Sequence, residues 1–114
     1  MENCLFCKIA NGDIPSNKAY EDDTVLSFHD IEPQAPVHVL IVPKKHYTSI
    51  MDIGASDAAL LSHMIEVAQQ LARELNISDD GFRLVVNTGE NGGQSVPHLH
   101  IHLLGGRKFG WPAG

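Results

Sequence analysis

A chain of 114 residues, 43% of them aliphatic, aromatic or cysteine, has room for one domain with a real core, and its charged fraction of 19% sets it apart from disordered chains. Eight Lys and Arg against 14 Asp and Glu leave a net charge of −6, which argues against nucleic acid as a partner. No apolar run approaches the roughly 20 residues of a membrane span, and two cysteines are too few for a disulfide scaffold.

In chain order, Cys4 to Ala10 is short and apolar and stops at Asn11-Gly12, which predicts a short N-terminal helix. The preceding Met1-Glu2-Asn3 lacks the basic and apolar regions of a secretory signal, so a cytoplasmic location is expected. Ala19-Tyr20 leads into the acidic turn Glu21-Asp22-Asp23, and Thr24 to Phe28 is β-prone and bounded by charge. Two prolines make 31–36 a loop. Val37 to Val42 reads as a strand closed by Pro43 and the basic pair Lys44-Lys45.

The strongest helical pattern runs from about Ser56 to Leu75, with Ser56 as N-cap, Asp57 against the positive end of the dipole, and Leu60, Met64, Val67, Leu71 and Leu75 on one stripe. His63 lies off that stripe with no specific role expected. A strand at 82–86, a glycine-rich loop from Asn87 to Ser95, a final strand from His98 to Leu104 and an irregular tail complete the chain. These elements predict an α+β fold, an antiparallel sheet of about five strands with helices on one face; the long helix could instead serve a parallel crossover.

The last strand carries the functional signal. Strand side chains alternate, so in Pro97-His98-Leu99-His100-Ile101-His102-Leu103-Leu104 the three histidines share one face, spaced by roughly 6.5–7 Å, and the aliphatic residues share the other. The aliphatic face is the core; the imidazole face then opens to a cleft. Three uses compete: a solvated His-rich face, a metal centre of three histidines, and an array of nucleophile and acid–base groups that titrates near neutrality. The glycines between Asn87 and Ser95 let backbone N–H groups approach an anion, which suggests a phosphate over the histidines.

The His-x-His-x-His-x-x run with apolar x, together with Phe28-His29-Asp30-Ile31, Pro36-Val37-His38, Val42-Pro43-Lys44-Lys45-His46, Asn87, Gly92-Gly93-Gln94-Ser95 and Trp111-Pro112, resembles the histidine triad (HIT) superfamily across nearly the whole chain. It looks like the nucleotide-binding branch, whose members hydrolyse purine nucleoside phosphoramidates. The resemblance implies a single HIT domain over 1–114, with His100 as the nucleophile that forms a nucleotidyl-histidine, His38 as its upstream partner, and His98 and His102 flanking the phosphate. It implies phosphate or leaving-group contacts at Asn87, Gln94 and Ser95, ribose contacts at Asp30, and a purine cleft lined by Leu5, Phe6, Ile9, Phe28 and Ile31. No metal is required for catalysis in that scheme.

Cys4-x-x-Cys7 alone has half the spacing of a zinc site. The resemblance supplies the rest: some bacterial relatives hold structural zinc at positions matching Cys4, Cys7, His46 and His98, and since a zinc-bound His98 is not free to act as an acid, it is expected mainly as a ligand. It also implies a homodimer formed through the 56–75 helix and the 82–86 strand, with the sheet extended across it, and a tail at 109–114 that shapes the leaving-group site. Two rival functions remain: a purine-nucleotide-binding protein without chemistry, and a zinc-dependent hydrolase with the metal on His98, His100 and His102.

Overall fold

The computed structural model describes residues 3–114, so Met1 and Glu2 of the N-terminal stretch lie outside the described residues. Its elements are α1 (Leu5–Ala10), β1 (Lys18–Glu21), β2 (Val25–His29), β3 (Val37–Pro43), α2 (Ala58–Glu74), β4 (Phe82–Val85), the single turn α3 (Gly89–Gly92) and β5 (Ile101–Gly105). The strands form one sheet in the order β1-β2-β3-β5-β4, with every pair antiparallel. Among the described residues no parallel crossover occurs; α2 links β3 to the edge strand β4 across a sheet already paired through β5.

Alternation along the central strands divides the molecule into two layers. Val25, Val39, Ile41, Ile101 and Leu103 face α2 and bury Met64, Val67, Ala68, Leu71 and Ala72 of its stripe. Leu26, Phe28, Leu40 and Val42 face the other way and pack against Cys4, Phe6, Cys7 and Ile9 of α1. Helices therefore cover both faces, not one. The apolar side of α1 is too short to form a core alone, and it closes the face that α2 leaves open.

Four local expectations change. Strand β1 is an element that the sequence reading passed over, because Lys18-Ala19-Tyr20-Glu21 has too little apolar alternation to mark it. Ser56 is not the N-cap: a 3₁₀ turn over Ala55–Asp57 precedes α2, and the Asp57 carboxylate accepts from the Gly54 N–H (3.0 Å) and the Tyr47 hydroxyl (2.7 Å). His63 does have a partner, since its Nε2 meets Asp22, which also accepts from the Tyr20 hydroxyl and the N–H groups of Thr24 and Val25. That carboxylate ties α2 to the β1–β2 turn, and its hydrogen bonds outweigh burial to hold it well below the usual carboxylate range.

The fourth change concerns the last strand, whose ladder runs from Ile101 to Gly105 and not from His98. Pairing with β3 ends at Ile41↔Ile101, and residues 98–100 turn to other partners, with Leu99 N–H donating to Tyr47 O (2.7 Å). At the other end of β5, Gly105 lies under Ile77. A Cβ there would sit 2.5 Å from Ile77 Cδ1 and 3.0 Å from its Cβ, so Gly105→Ala forces a buried, β-branched side chain to move. Overpacking of this kind costs about 1–3 kcal/mol, a fall of roughly 4–12 °C in Tm for a domain this size. A thermal melt within a degree of the parent protein would mean that Ile77 moves aside freely.

Candidate active site

The face of the sheet opposite α2 carries a cavity of about 440 Å³ between α1, the 14–17 connection, the end of β2 and the start of β5. Leu5, Phe6, Ile9, Phe28 and Ile31 line it, with Asp30, Ser95, His100 and His102 at its polar end. Ile31 is 95% exposed and Leu5 45%, so the two form apolar lips at the mouth. The sequence reading missed Ile14, Pro15, Ser16, Asn17, His29, Glu32, Leu40 and Val96, which also line it. Only Leu40, by its phase with His38 on β3, carried a pattern that could have placed it there.

Fixed hydrogen bonds set the state of each imidazole. A carbonyl oxygen can only accept, and a backbone N–H can only donate. His100 Nδ1 faces the carbonyl of His98 at 2.7 Å, so Nδ1 carries a proton, and in the neutral ring the lone pair is on Nε2. Gln34 N–H donates to His38 Nδ1 at 3.0 Å, so the His38 proton is on Nε2. That Nε2–H donates to His102 Nδ1 at 2.9 Å, with the Asp30 carboxylate 3.5 Å away as a more distant acceptor. His102 is thereby left with its proton on Nε2.

The rings of His100 and His102 lie 5.0 Å apart, and Phe6 packs edge-on to His100 at 5.0 Å. Burial lowers the His102 pKa to about 4, with His100 and His38 adding to the effect. Burial also lowers that of His38, against the pull of Asp30. Both rings are neutral at pH 7, as their hydrogen bonds require. The site thus offers one imidazole lone pair, on His100, beside one imidazole N–H donor, on His102.

His98 stands apart from this group. Its Nε2–H donates to the Pro43 carbonyl (2.8 Å), which leaves Nδ1 facing Cys4 Sγ (3.2 Å) and Cys7 Sγ (3.4 Å). It is fully buried and is not among the residues lining the cavity, so of its two expected places the one beside the phosphate is not where the structure sets it. One zinc on His98, His100 and His102 does not fit either, because the His98 lone pair faces the cysteines and that of His102 accepts from His38, which leaves only that of His100 open. Gln94 is also committed elsewhere. Its Oε1 accepts from Gly89 N–H (3.1 Å), and its amide donates to the carbonyls of Thr48 (2.7 Å) and Val96 (3.0 Å), so it holds the glycine loop in shape. Asn87 is half-buried under Gly92 and is not among the residues lining the cavity.

Cys4, Cys7, His46 and His98 form a separate cluster, with all four donor atoms within 4.8 Å of one another. Cys7 Sγ lies 3.3 Å from His46 Nδ1. Tetrahedral zinc with two sulfur and two nitrogen ligands sets its donors roughly 3.5 Å apart, so this donor set fits that ion in number, type and spacing. Burial, then the adjacent Cys4 thiol, push the Cys7 thiol up to about 11. The tail runs past β4, where Arg83 donates to Gly110 O (2.9 Å) and packs on the Phe109 ring; Trp111 is 86% exposed.

Fold and site together define a class: a small antiparallel α+β domain with histidines of preset tautomer at the polar end of an apolar cleft. The HIT domain pattern matches residues 11–109, and the chain belongs to that family. It is 46% identical over 109 residues to the purine nucleoside phosphoramidase of Escherichia coli K12, covering 96% of this chain and 92% of that one. A HIT family hydrolase from Legionella pneumophila superposes with a TM-score of 0.97 at 51% identity, covering 98% of this chain and 100% of that one. A histidine triad nucleotide-binding protein from Candida albicans superposes at 0.82 with 36% identity, covering 98% and 85%. Its relatives thus include hydrolases. Among the described residues, no helix is long and apolar enough to cross a membrane.

Proposed function

We propose that the protein hydrolyses purine nucleoside 5′-phosphoramidates to the nucleoside monophosphate and an amine, through a nucleotidyl intermediate on His100. The observation that carries this reading is the His98 carbonyl on His100 Nδ1–H, which leaves the Nε2 lone pair of a cavity-lining ring free to attack. The base lies among Phe6, Ile9 and Phe28 with Leu5 and Ile31 above it, and the ribose hydroxyls donate to Asp30. His100 Nε2 bonds to the α-phosphorus as the P–N bond breaks. His102 Nε2–H and the Ser95 hydroxyl donate to the phosphoryl oxygens as charge builds there. The departing nitrogen takes a proton from solvent and leaves as the amine; water then displaces His100 and returns that proton.

Cys4, Cys7, His46 and His98 hold a structural zinc in this reading, one that cross-links α1 to the end of β3 and to the start of the histidine segment and takes no part in the reaction. The test of function is release of AMP from adenosine 5′-phosphoramidate, with a quenched sample carrying one nucleotidyl mass on the peptide containing His100. Nucleotide binding with no turnover would leave only the binding function.

The active form is a homodimer in the same reading. Among the described residues strand β4 pairs only with β5, and Phe82, Leu84 and Val86 form an exposed apolar row on that edge. Such an edge is stable in water when covered, and a second copy of the same strand covers it with two-fold symmetry. Sedimentation at micromolar concentration should give twice the chain mass, and Leu84→Lys should halve it. A monomeric parent protein would end the idea.

A further inference from the structure

The His38–His102 pair is only as well oriented as the Gln34 N–H that fixes its direction, and Gln34 sits in the exposed 30–36 loop. The loop's own bonds hold its first half: Glu32 N–H donates to Asp30 Oδ1 (2.8 Å), and the Gln34 side chain donates to Glu32 O (3.1 Å). The second half is held from outside, by the two residues that follow β5. Gly106, at φ +90°, passes so close to Pro36 that a Cβ there would lie 2.8 Å from the proline Cβ. Just past the Val37↔Gly105 end of the β3–β5 ladder, Arg107 donates from both Nε (3.2 Å) and Nη2 (3.0 Å) to the carbonyl of Gln34. The same guanidinium lies over the Phe109 ring, 4.2 Å from its centroid, and donates from Nη1 to Lys108 O (3.3 Å), so it is itself pinned.

We propose that Arg107 is a positioning residue for the reaction: by gripping residue 34 through its carbonyl, it aims the Gln34 N–H at His38 and so fixes the proton positions of both His38 and His102. The chain of contacts is continuous. Two guanidinium N–H groups hold the carbonyl, the N–H of the same residue meets His38 Nδ1, and His38 Nε2–H then meets His102 Nδ1. What reaches the cavity at the end is the His102 Nε2–H. If His38 flips its tautomer, His102 presents a lone pair to the phosphoryl oxygens in place of a donor, and attraction becomes repulsion. Because Arg107 is exposed and acts on an exposed carbonyl, its loss affects orientation more than folding.

The inference rests on the hydrolase reading only for its kinetic arm. Long-range ¹H–¹⁵N spectra of the ring nitrogens in the ligand-free protein read the tautomers directly. In the parent protein, His38 and His102 should each appear as single Nε2-protonated rings. In Arg107→Ala both should move towards mixed tautomers, with the melting temperature nearly unchanged. The kcat for adenosine 5′-phosphoramidate should fall on the order of 10-fold with KM little altered, as expected when a reacting group is misplaced but the ligand still binds. Arg107→Lys, which keeps one charged donor, should recover part of both signals. Unchanged ring signals in Arg107→Ala overturn the inference, whatever happens to the rate. So does a loss of rate that tracks a fall in melting temperature in both variants. If the parent protein does not turn the substrate over, the hydrolase reading fails, and the ring signals alone decide the role of Arg107.

Discussion

His100→Asn should abolish turnover while nucleotide affinity stays within a few-fold of the parent value. Asparagine keeps an amide N–H that can donate to the His98 carbonyl, and the bond from His38 to His102 does not involve residue 100. What disappears is the ring lone pair. Loss of a nucleophile from a site that is otherwise intact costs roughly 10³–10⁶-fold in kcat. The intermediate should vanish with it, because an amide nitrogen, its lone pair delocalised into the carbonyl, does not displace an amine from phosphorus. Calorimetry with AMP measures the affinity arm, and single-turnover assays with a phosphoramidate measure the chemical arm. Turnover comparable to that of the parent protein would place the nucleophile on another residue, and weakened AMP binding would make His100 chiefly a binding group.

With zinc held by Cys4, Cys7, His46 and His98 as proposed, chelation should destabilise the protein strongly and slow it only slightly. Protein made with zinc present should hold one ion per chain, and cobalt in its place should give the absorption of tetrahedral thiolate coordination. At a free ion concentration about 1,000 times its Kd, a ligand adds about 4 kcal/mol to the folded state, which corresponds to roughly 15–25 °C in Tm for a domain of this size. Chelated parent protein and Cys7→Ala should therefore melt at similar, lower temperatures. Below those temperatures both should still turn over substrate, since the hydrogen bond that prepares His100 comes from a main-chain carbonyl. Metal-free protein that melts as high as zinc-treated protein would remove the ion from the account. Complete loss of turnover on chelation, in protein that remains folded, would give the metal a chemical role.

The two layers of the fold were legible to different degrees. The stripe Leu60-Met64-Val67-Leu71 and the alternation of β3 and β5 are periodic, and periodicity is a local property that sequence displays directly. β1 went unseen because an edge strand need satisfy only one neighbour, and Lys18 and Glu21 serve that purpose while carrying no apolar pattern. In the site, the alternation of His100 and His102 was readable. The departure of His98 was not, since it depends on where the ladder with β3 stops and on a carbonyl 55 positions earlier in the chain. Gln94 shows the same limit: residue type says that it can meet a phosphate, and only the fold says that its amide already bonds across to Thr48. The tautomers lay furthest from view, because each is set by a backbone group that every residue possesses.

His98 has two assignments carried by different parts of one residue. Its ring faces the cysteines, and its carbonyl receives the His100 proton. A side chain can be exchanged while its peptide unit stays, so the demands on position 98 are independent: the cluster specifies the identity of the residue, and the cavity specifies only the path of the main chain. A cysteine there would keep the number of candidate ligands at four and keep the carbonyl in the main chain, at the loss of the bond to Pro43 and of the ring packing on Phe6 and His46. Selection, or a protein engineer, can therefore change what the cluster holds without rewriting the chemistry next to it.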